Sequence, residues 1–198
     1  MLANVPLFPL HAVLFPDGIM PLRIFEARYL DMISESLRTG AGFGISLIRE
    51  GAEVGGPAAC HDIGTLARII DWQRGEDGVL EITVHGEGRF RILRTRLRKN
   101  RLLEGDIEFI DGEEDRELPV EYQLLADLLR QIAEKFSLTY LSDEEKFMQA
   151  GWVGCRLAEL LPVDMGDKQI LLEMNDPIRR LEQVQSILQT ISMDQFAM

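Results

Sequence analysis

Residues 5–29 read VPLFPLHAVLFPDGIMPLRIFEARY, and the spacing of their prolines decides how the first half of the chain can fold. Pro6, Pro9, Pro16 and Pro21 are four of the eight prolines in the chain. Each fixes φ and removes a backbone N–H, which rules out one long helix or one unbroken central strand. The stretch is expected instead as two short extended segments, 5–10 and 19–24, joined by a turn at Pro16-Asp17-Gly18. So apolar a segment has to be buried by the later parts of the chain, and it should seed the core of the first half. It carries no chemistry of its own.

Beyond it, Ala27, Leu30, Ile33 and Leu37 recur at helical spacing and predict an amphipathic helix over 25–38, with Gly40 as its stop. Glu26 near its start and Arg38 near its end suit the helix dipole. Runs rich in β-formers come next, at 43–49, 64–73, 79–85, 89–94 and 102–110. Turn signals separate them at Gly55-Gly56-Pro57, at 75–78 (GEDG, read as a hairpin) and at Gly86-Glu87-Gly88, which is also read as a turn. This half is mostly β with one early helix, closer to a small barrel or sandwich than to a parallel sheet.

The acidic run 111–117 (DGEEDRE) is the natural linker, giving domains at 1–115 and 116–198. After it the period changes. Val120, Leu124, Leu128, Ile132 and Phe136 repeat every four residues on a helix entered through Pro119. Ser142 and Glu145 have capping-box spacing, predicting a helix from there to about Leu161, where Pro162 stops it. Gly151 and Gly154 inside it suggest that another helix packs closely. A shorter helix over 168–174 precedes a last one begun at Asp176-Pro177, with Ile178, Leu181, Val184, Leu188 and Ile191 inward. The fold class is α+β, a β-rich half followed by a bundle of about four helices.

At 198 residues and 46% hydrophobic, the chain can bury a sizeable core. Its formal charge of −12 divides evenly about Asp115 and argues against a nucleic-acid backbone as main partner. Cys60 and Cys155, the only cysteines, do not make a disulfide framework, and a reduced, cytoplasmic setting is expected. The proline-broken N-terminus lacks the positive region of a signal peptide, and no apolar run reaches membrane-spanning length, so the expectation is a soluble protein.

Little in the chain looks catalytic. There is no G-x-x-x-x-G-K-[ST] loop and no G-x-S-x-G elbow, so neither a nucleotide site nor a serine triad is indicated. Cys60-His61-Asp62 sets three metal-ligating types side by side, but structural zinc wants spaced pairs, and a loop entering a strand is the better reading. No metal or cofactor is expected. Residues 89–101 (RFRILRTRLRKNR) hold seven positive charges and no acid. An RNA-binding ribbon would interleave aromatics, and only Phe90 is present. The preferred reading is an edge strand, with Phe90 and Ile92 inward and the arginines facing water or Glu81, Glu104, Asp106 and Glu108. Trp72 and Trp152 are expected to be partly buried, and Cys155 to be a small core residue.

Pro6-Leu7-Phe8-Pro9-Leu10, Leu14-Phe15-Pro16 and above all Pro21-Leu22-Arg23-Ile24-Phe25-Glu26-Ala27-Arg28-Tyr29 resemble the N-terminal domain of Lon proteases. Ile63-Gly64-Thr65-Leu66-Ala67, Val84-His85-Gly86-Glu87-Gly88-Arg89-Phe90, Leu161-Pro162 and Lys168-Gln169-Ile170-Leu171-Leu172-Glu173 resemble it too, in the same order along nearly the whole chain. His11 and Ala27 depart from the arginine and proline common there. The resemblance implies a PUA-like pseudo-barrel followed by a helical bundle, a unit that in full-length Lon helps to hold polypeptide substrates and to support ring assembly. The ATPase and serine–lysine protease domains that usually follow are absent from these 198 residues, and no catalytic residue carries over. The expected function is a non-enzymatic module that binds unfolded polypeptide or another protein, working alongside a separate protease or ATPase. Met20, Arg23 and Trp72 are its candidate lining residues. Two alternatives are an RNA-binding module that uses Arg94, Arg96 and Arg98, and a barrel pocket for a small molecule.

Overall fold

The computed structural model describes residues 2–53, 59–113 and 116–196. Gly55-Gly56-Pro57 lies outside the described residues, as do Glu114 and Asp115 of the acidic run. Two compact units divide the chain, Met1–Gly112 and Glu113–Met198.

The first unit is built from β1 (Leu2–Leu10), β2 (Ile19–Ile24), α1 (Ala27–Thr39), β3 (Phe43–Glu50), β4 (Ala59–Cys60), β5 (Ile63–Arg74), β6 (Leu80–Leu97) and β7 (Leu103–Phe109). The strands run in the order β1-β7-β6-β5-β3-β4, and β1 also pairs with β3 in parallel. Five strands thereby close into a ring, the expected pseudo-barrel, while β2 lies outside it on β6. The prolines of β1 tolerate this because its pairings are staggered. Pro6 is paired only to β7 and Pro9 only to β3, so neither sits between two partners. The next turn forms as the sequence predicts. The Gly18 N–H donates to the Phe15 carbonyl at 3.0 Å, and Asp17 takes φ 61°, the left-handed third position of a type II turn.

The barrel core gathers Phe8, Tyr29, Met32, Ile33, Phe43 and Val84 in one cluster and Leu7, Phe90 and Ile107 in another. α1 exists as expected, and Gly40 ends it in the left-handed conformation with its N–H on the Ser36 carbonyl. Its buried face differs from the expected stripe. Tyr29, Met32, Ile33 and Ser36 are inside, whereas Ala27, Leu30 and Leu37 are exposed. The Tyr29 ring stacks on Phe8 with centroids 4.1 Å apart, and burying that aromatic sets the rotation of the helix.

Residues 75–78 make the expected hairpin, with the Gly75 N–H on the Val79 carbonyl at 2.8 Å and Gly78 at φ 81°. Gly86-Glu87-Gly88 does not turn. It lies inside β6, an 18-residue strand that fuses the two expected ones. A Cβ on Gly86 would stand 2.2 Å from the Phe15 carbonyl oxygen. The glycine is there so that the chain at Phe15 to Gly18 can cross β6 closely, and the Gly86 N–H and C=O bond to Gly18 and Asp17. β6 is flanked on both sides over Leu80–His85, by β2 and β5, and at Phe90 and Arg91, by β5 and β7. Among the described residues Arg94–Leu97 pair with β7 alone, so the expected edge is confined to that stretch.

In the second unit α2 (Gln123–Lys135), α3 (Ala150–Leu160), α4 (Met165–Glu173) and α5 (Pro177–Phe196) are the expected four helices. α2 buries Leu125, Ala126 and Leu129, leaving Val120 and Leu124 at 88% and 77% exposed and Phe136 outside as well. The expected helix from Ser142 is interrupted. A 3-10 turn at Glu144–Met148 is capped by Asp143, whose side chain accepts from the Glu145 N–H, and α3 begins only at Ala150. Between them Gln149 is extended because it bridges to Glu117, with Leu118 and Ala150 N–H groups bonded to Met148 and Arg116 carbonyls. The acidic run is therefore stitched onto its own unit at Glu117. Gly154 does mark a close helix crossing, since an added Cβ would meet the Arg180 side chain of α5 at 3.3 Å. Leu181 and Val184 face inward as expected, and Trp152 and Cys155 are buried.

Candidate functional site

Where β2, β6 and the far half of β5 lie side by side, the register sets Leu22, Ile82 and Trp72 in one cross-strand row and Arg23, Glu81 and Gln73 in the next. Together with Pro21, Asp71 and Thr83 these residues line a cleft of about 370 Å³, within the range typical of ligand sites. Gln73 Nε2 donates to Glu81 Oε2 at 3.0 Å, and Arg23 Nε lies 3.8 Å from Glu81 Oε1. Arg23 also pairs with Asp77 at the hairpin. The Val79 N–H on Asp77, and then Arg23, hold the Asp77 carboxyl below its ordinary value. A second, more polar concavity of about 570 Å³ shares Arg23, Gln73 and Glu81 and adds Arg74, Gly75, Glu76 and Asp77.

Trp72 is 59% exposed, which corrects the expectation of partial burial. The reason is topological: β3 flanks β5 only along Thr65–Ala67, and among the described residues no strand pairs with that side of β5 past that point. Of the three sequence candidates, the structure brings Arg23 and Trp72 into one cleft and leaves Met20 apart. Met20 is half-buried against the barrel core, opposite Val84. The sequence reading missed Ile70, Asp71, Gln73 and Glu81. One signal was available, because the adjacent Ile69 and Ile70 break the period-two alternation. The structure has a bulge between Ile69 and Asp71 that leaves Ile70 55% exposed.

The alternative arginines stand elsewhere on β6. Arg96 lies 3.5 Å from Glu104 and 3.2 Å from Asp106, and Arg98 reaches Glu104 at 2.7 Å and Glu35 at 3.1 Å. Arg94 is paired in register with Asp106. Glu104 and Asp106 are thus among the expected cross-strand partners, and Arg96 and Arg98 of the positive ribbon are ion-paired in place. Around Cys60, burial pushes the thiol up to about 11, the opposite of an activated nucleophile or a ready metal ligand. Among the described residues, no three or more His, Cys, Asp or Glu side chains are grouped to hold a metal ion. In the second unit a smaller cleft of about 290 Å³ is lined by Arg130, Leu138, Phe147 and their neighbours. The Arg130 guanidinium sits 4.5 Å over the Phe147 ring and is paired with Asp127 and Glu144.

The β2–β6–β5 cleft combines an exposed indole, apolar neighbours and the charges of Arg23, Asp71 and Glu81. Its lining holds no histidine, cysteine, serine or lysine. Such a surface can grip side chains and backbone. No helix among the described residues is long and apolar enough to cross a membrane.

Residues 4–190 match the family described as the ATP-dependent protease La (LON) substrate-binding domain. Among similar proteins, Lon protease 2 of Syntrophobacter fumaroxidans is 30% identical over 182 residues, covering 87% of this chain and 22% of that protein. Lon protease of Xanthomonas oryzae pv. oryzae is 25% identical over 189 residues, covering 90% and 22%. The chain thus spans about a fifth of the length of the curated relatives it matches. A crystal structure of a Lon N-terminal domain protein from Xanthomonas campestris is 40% identical, with a TM-score of 0.78 over 93% of this chain and 98% of that one. The N-terminal domain of a Mycobacterium avium complex Lon protease, at 15% identity and a TM-score of 0.66 over 93% and 97%, shares the fold alone. These matches bear out both the expected fold class and the resemblance first carried by residues 21–29, and the chain belongs to the Lon substrate-binding domain family.

Proposed function

We propose that this chain is a non-catalytic polypeptide-recognition module that holds exposed segments of unfolded protein for a separate ATPase or protease. The observation that carries the reading is the solvent-facing Trp72, set in one cleft with Arg23, Asp71 and Glu81. An exposed tryptophan is the kind of anchor that dominates protein–protein contacts. The family's description as a substrate-binding domain supports the same direction. Fluorescence anisotropy with reduced, unfolded casein fragments tests it. Binding is expected, with Trp72→Ala weakening it by at least about tenfold while the melting temperature stays near wild type. If no unfolded polypeptide bound the purified chain while a small metabolite did, the reading would fail.

A further inference from the structure

From Asp71 to Arg74, β5 is paired with β6 alone, since β3 leaves it at Ala67. Among the described residues no strand pairs with its other side. The alternation of the ladder says which groups this open side presents. The Gly75 N–H bonds to Val79, so Gly75, Gln73 and Asp71 direct their backbone groups at β6. Trp72 and Arg74 must then direct both N–H and C=O outward. Consistent with this, the Trp72 N–H is met at 2.9 Å by the side chain of Asp71, a carboxylate standing where the carbonyl of a neighbouring strand would stand. Every residue from Ile70 to Arg74 is exposed, Ile70 and Trp72 among them. An unpaired edge that also exposes Ile70 and Trp72 invites pairing. Here the bulge after Ile69 confines it to a short length, too little for extended self-association but enough for one short strand.

We propose that this edge receives an extended segment of the bound polypeptide as an added strand, the peptide's carbonyl displacing the Asp71 carboxylate from the Trp72 N–H. The inference rests on the polypeptide-binding reading and names its mode. Charge selects the occupant. Asp71, Glu76, Asp77 and Glu81 outnumber Arg23 and Arg74 around the two concavities, on a chain of net charge −12. The fitting segment is apolar and basic by turns, and a second copy of this acidic edge would meet like charge. Main-chain bonding supplies affinity for any extended chain, and Ile70 and Trp72 add preference for apolar side chains.

The test uses the whole chain and a fluorescein-labelled synthetic decapeptide alternating Val or Phe with Lys or Thr. Amide hydrogen exchange read by NMR should slow at Trp72 and Arg74 when the peptide binds. Arg74→Pro, which removes an outward N–H without touching the β6 ladder, should weaken binding about tenfold relative to Arg74→Ala. If the peptide binds but exchange at Trp72 and Arg74 is unchanged, the added strand is overturned and the polypeptide reading stands. If neither the peptide nor unfolded casein binds at all, both fall.

Discussion

Arg180 has no solvent exposure, yet its guanidinium is engaged on several sides. Nε donates to the Leu171 carbonyl at 2.9 Å, Nη1 to Glu113 at 2.8 Å, and Nη2 to Glu113 and the Met174 carbonyl. One side chain of α5 thereby ties down the end of α4 and the start of the second unit. Removing it takes a donor from a largely buried carboxylate and from two carbonyls. Arg180→Met is expected to cost about 3–5 kcal/mol in urea unfolding, and adding Glu113→Leu should restore part of that loss. Additive losses in the double mutant would refute the clamp. A second residue-scale effect is alkaline. Burial is the main cause that raises the Cys60 thiol from near 9 to about 11 and the Tyr29 phenol from near 10 to about 12. Both groups keep their protons longer when folded. The stabilisation is complete below about pH 9 and is lost as pH rises through the folded values. Unfolding free energies from urea titration should fall between pH 9 and pH 11 by roughly 1 kcal/mol per group, discounted for partial exposure, and Cys60→Ala should flatten the lower part of that decline.

Among the elements, α2 shows how a period can be right and its phase wrong. Val120, Leu124, Leu128, Ile132 and Phe136 form one apolar row, while Leu125 and Leu129 form another one residue on, and the structure buries the second. Leu129→Ala should therefore destabilise by about 2–5 kcal/mol and Leu124→Ala by no more than about 0.5 kcal/mol, which denaturant titration would separate. Equal losses would mean that the helix is rotated from the orientation described. β6 makes the complementary point, since Gly86 was legible as a break and is a crossing. No local pattern distinguishes a glycine that turns the chain from one that lets another strand pass over it, because both need only a missing Cβ.

For the whole molecule, the charge of −12 is the governing quantity. It repels a phosphate backbone, and Arg96 and Arg98 of the one basic stretch are paired with Glu35, Glu104 and Asp106. Filter binding at about 0.15 M salt should retain no RNA. A steep salt-dependent RNA affinity abolished by Arg94→Gln, Arg96→Gln and Arg98→Gln would reverse that conclusion. A lysine-containing peptide should instead associate faster as salt is lowered, because the acidic chain steers it.

Read as a string, the chain determined its class of fold. Alternation, turn residues and proline placement act over a few neighbours, so the β-rich half, the early helix, the 75–78 hairpin and the four later helices could all be named, and residues 21–29 pointed to the family. Arg23 and Trp72 were legible as candidates because their side-chain chemistry is local. Only the tertiary structure decided which face of α1 and α2 is buried, that β6 is one long strand running through Gly86, and that Gln149 breaks a helix. Each of those depends on a partner distant in sequence: Phe8 for α1, Phe15 to Gly18 for β6, Glu117 for Gln149. The open edge at Trp72 is of the same kind. It exists because β3 stops covering β5 at Ala67, and where one strand ceases to cover another is set by the closure of the whole ring.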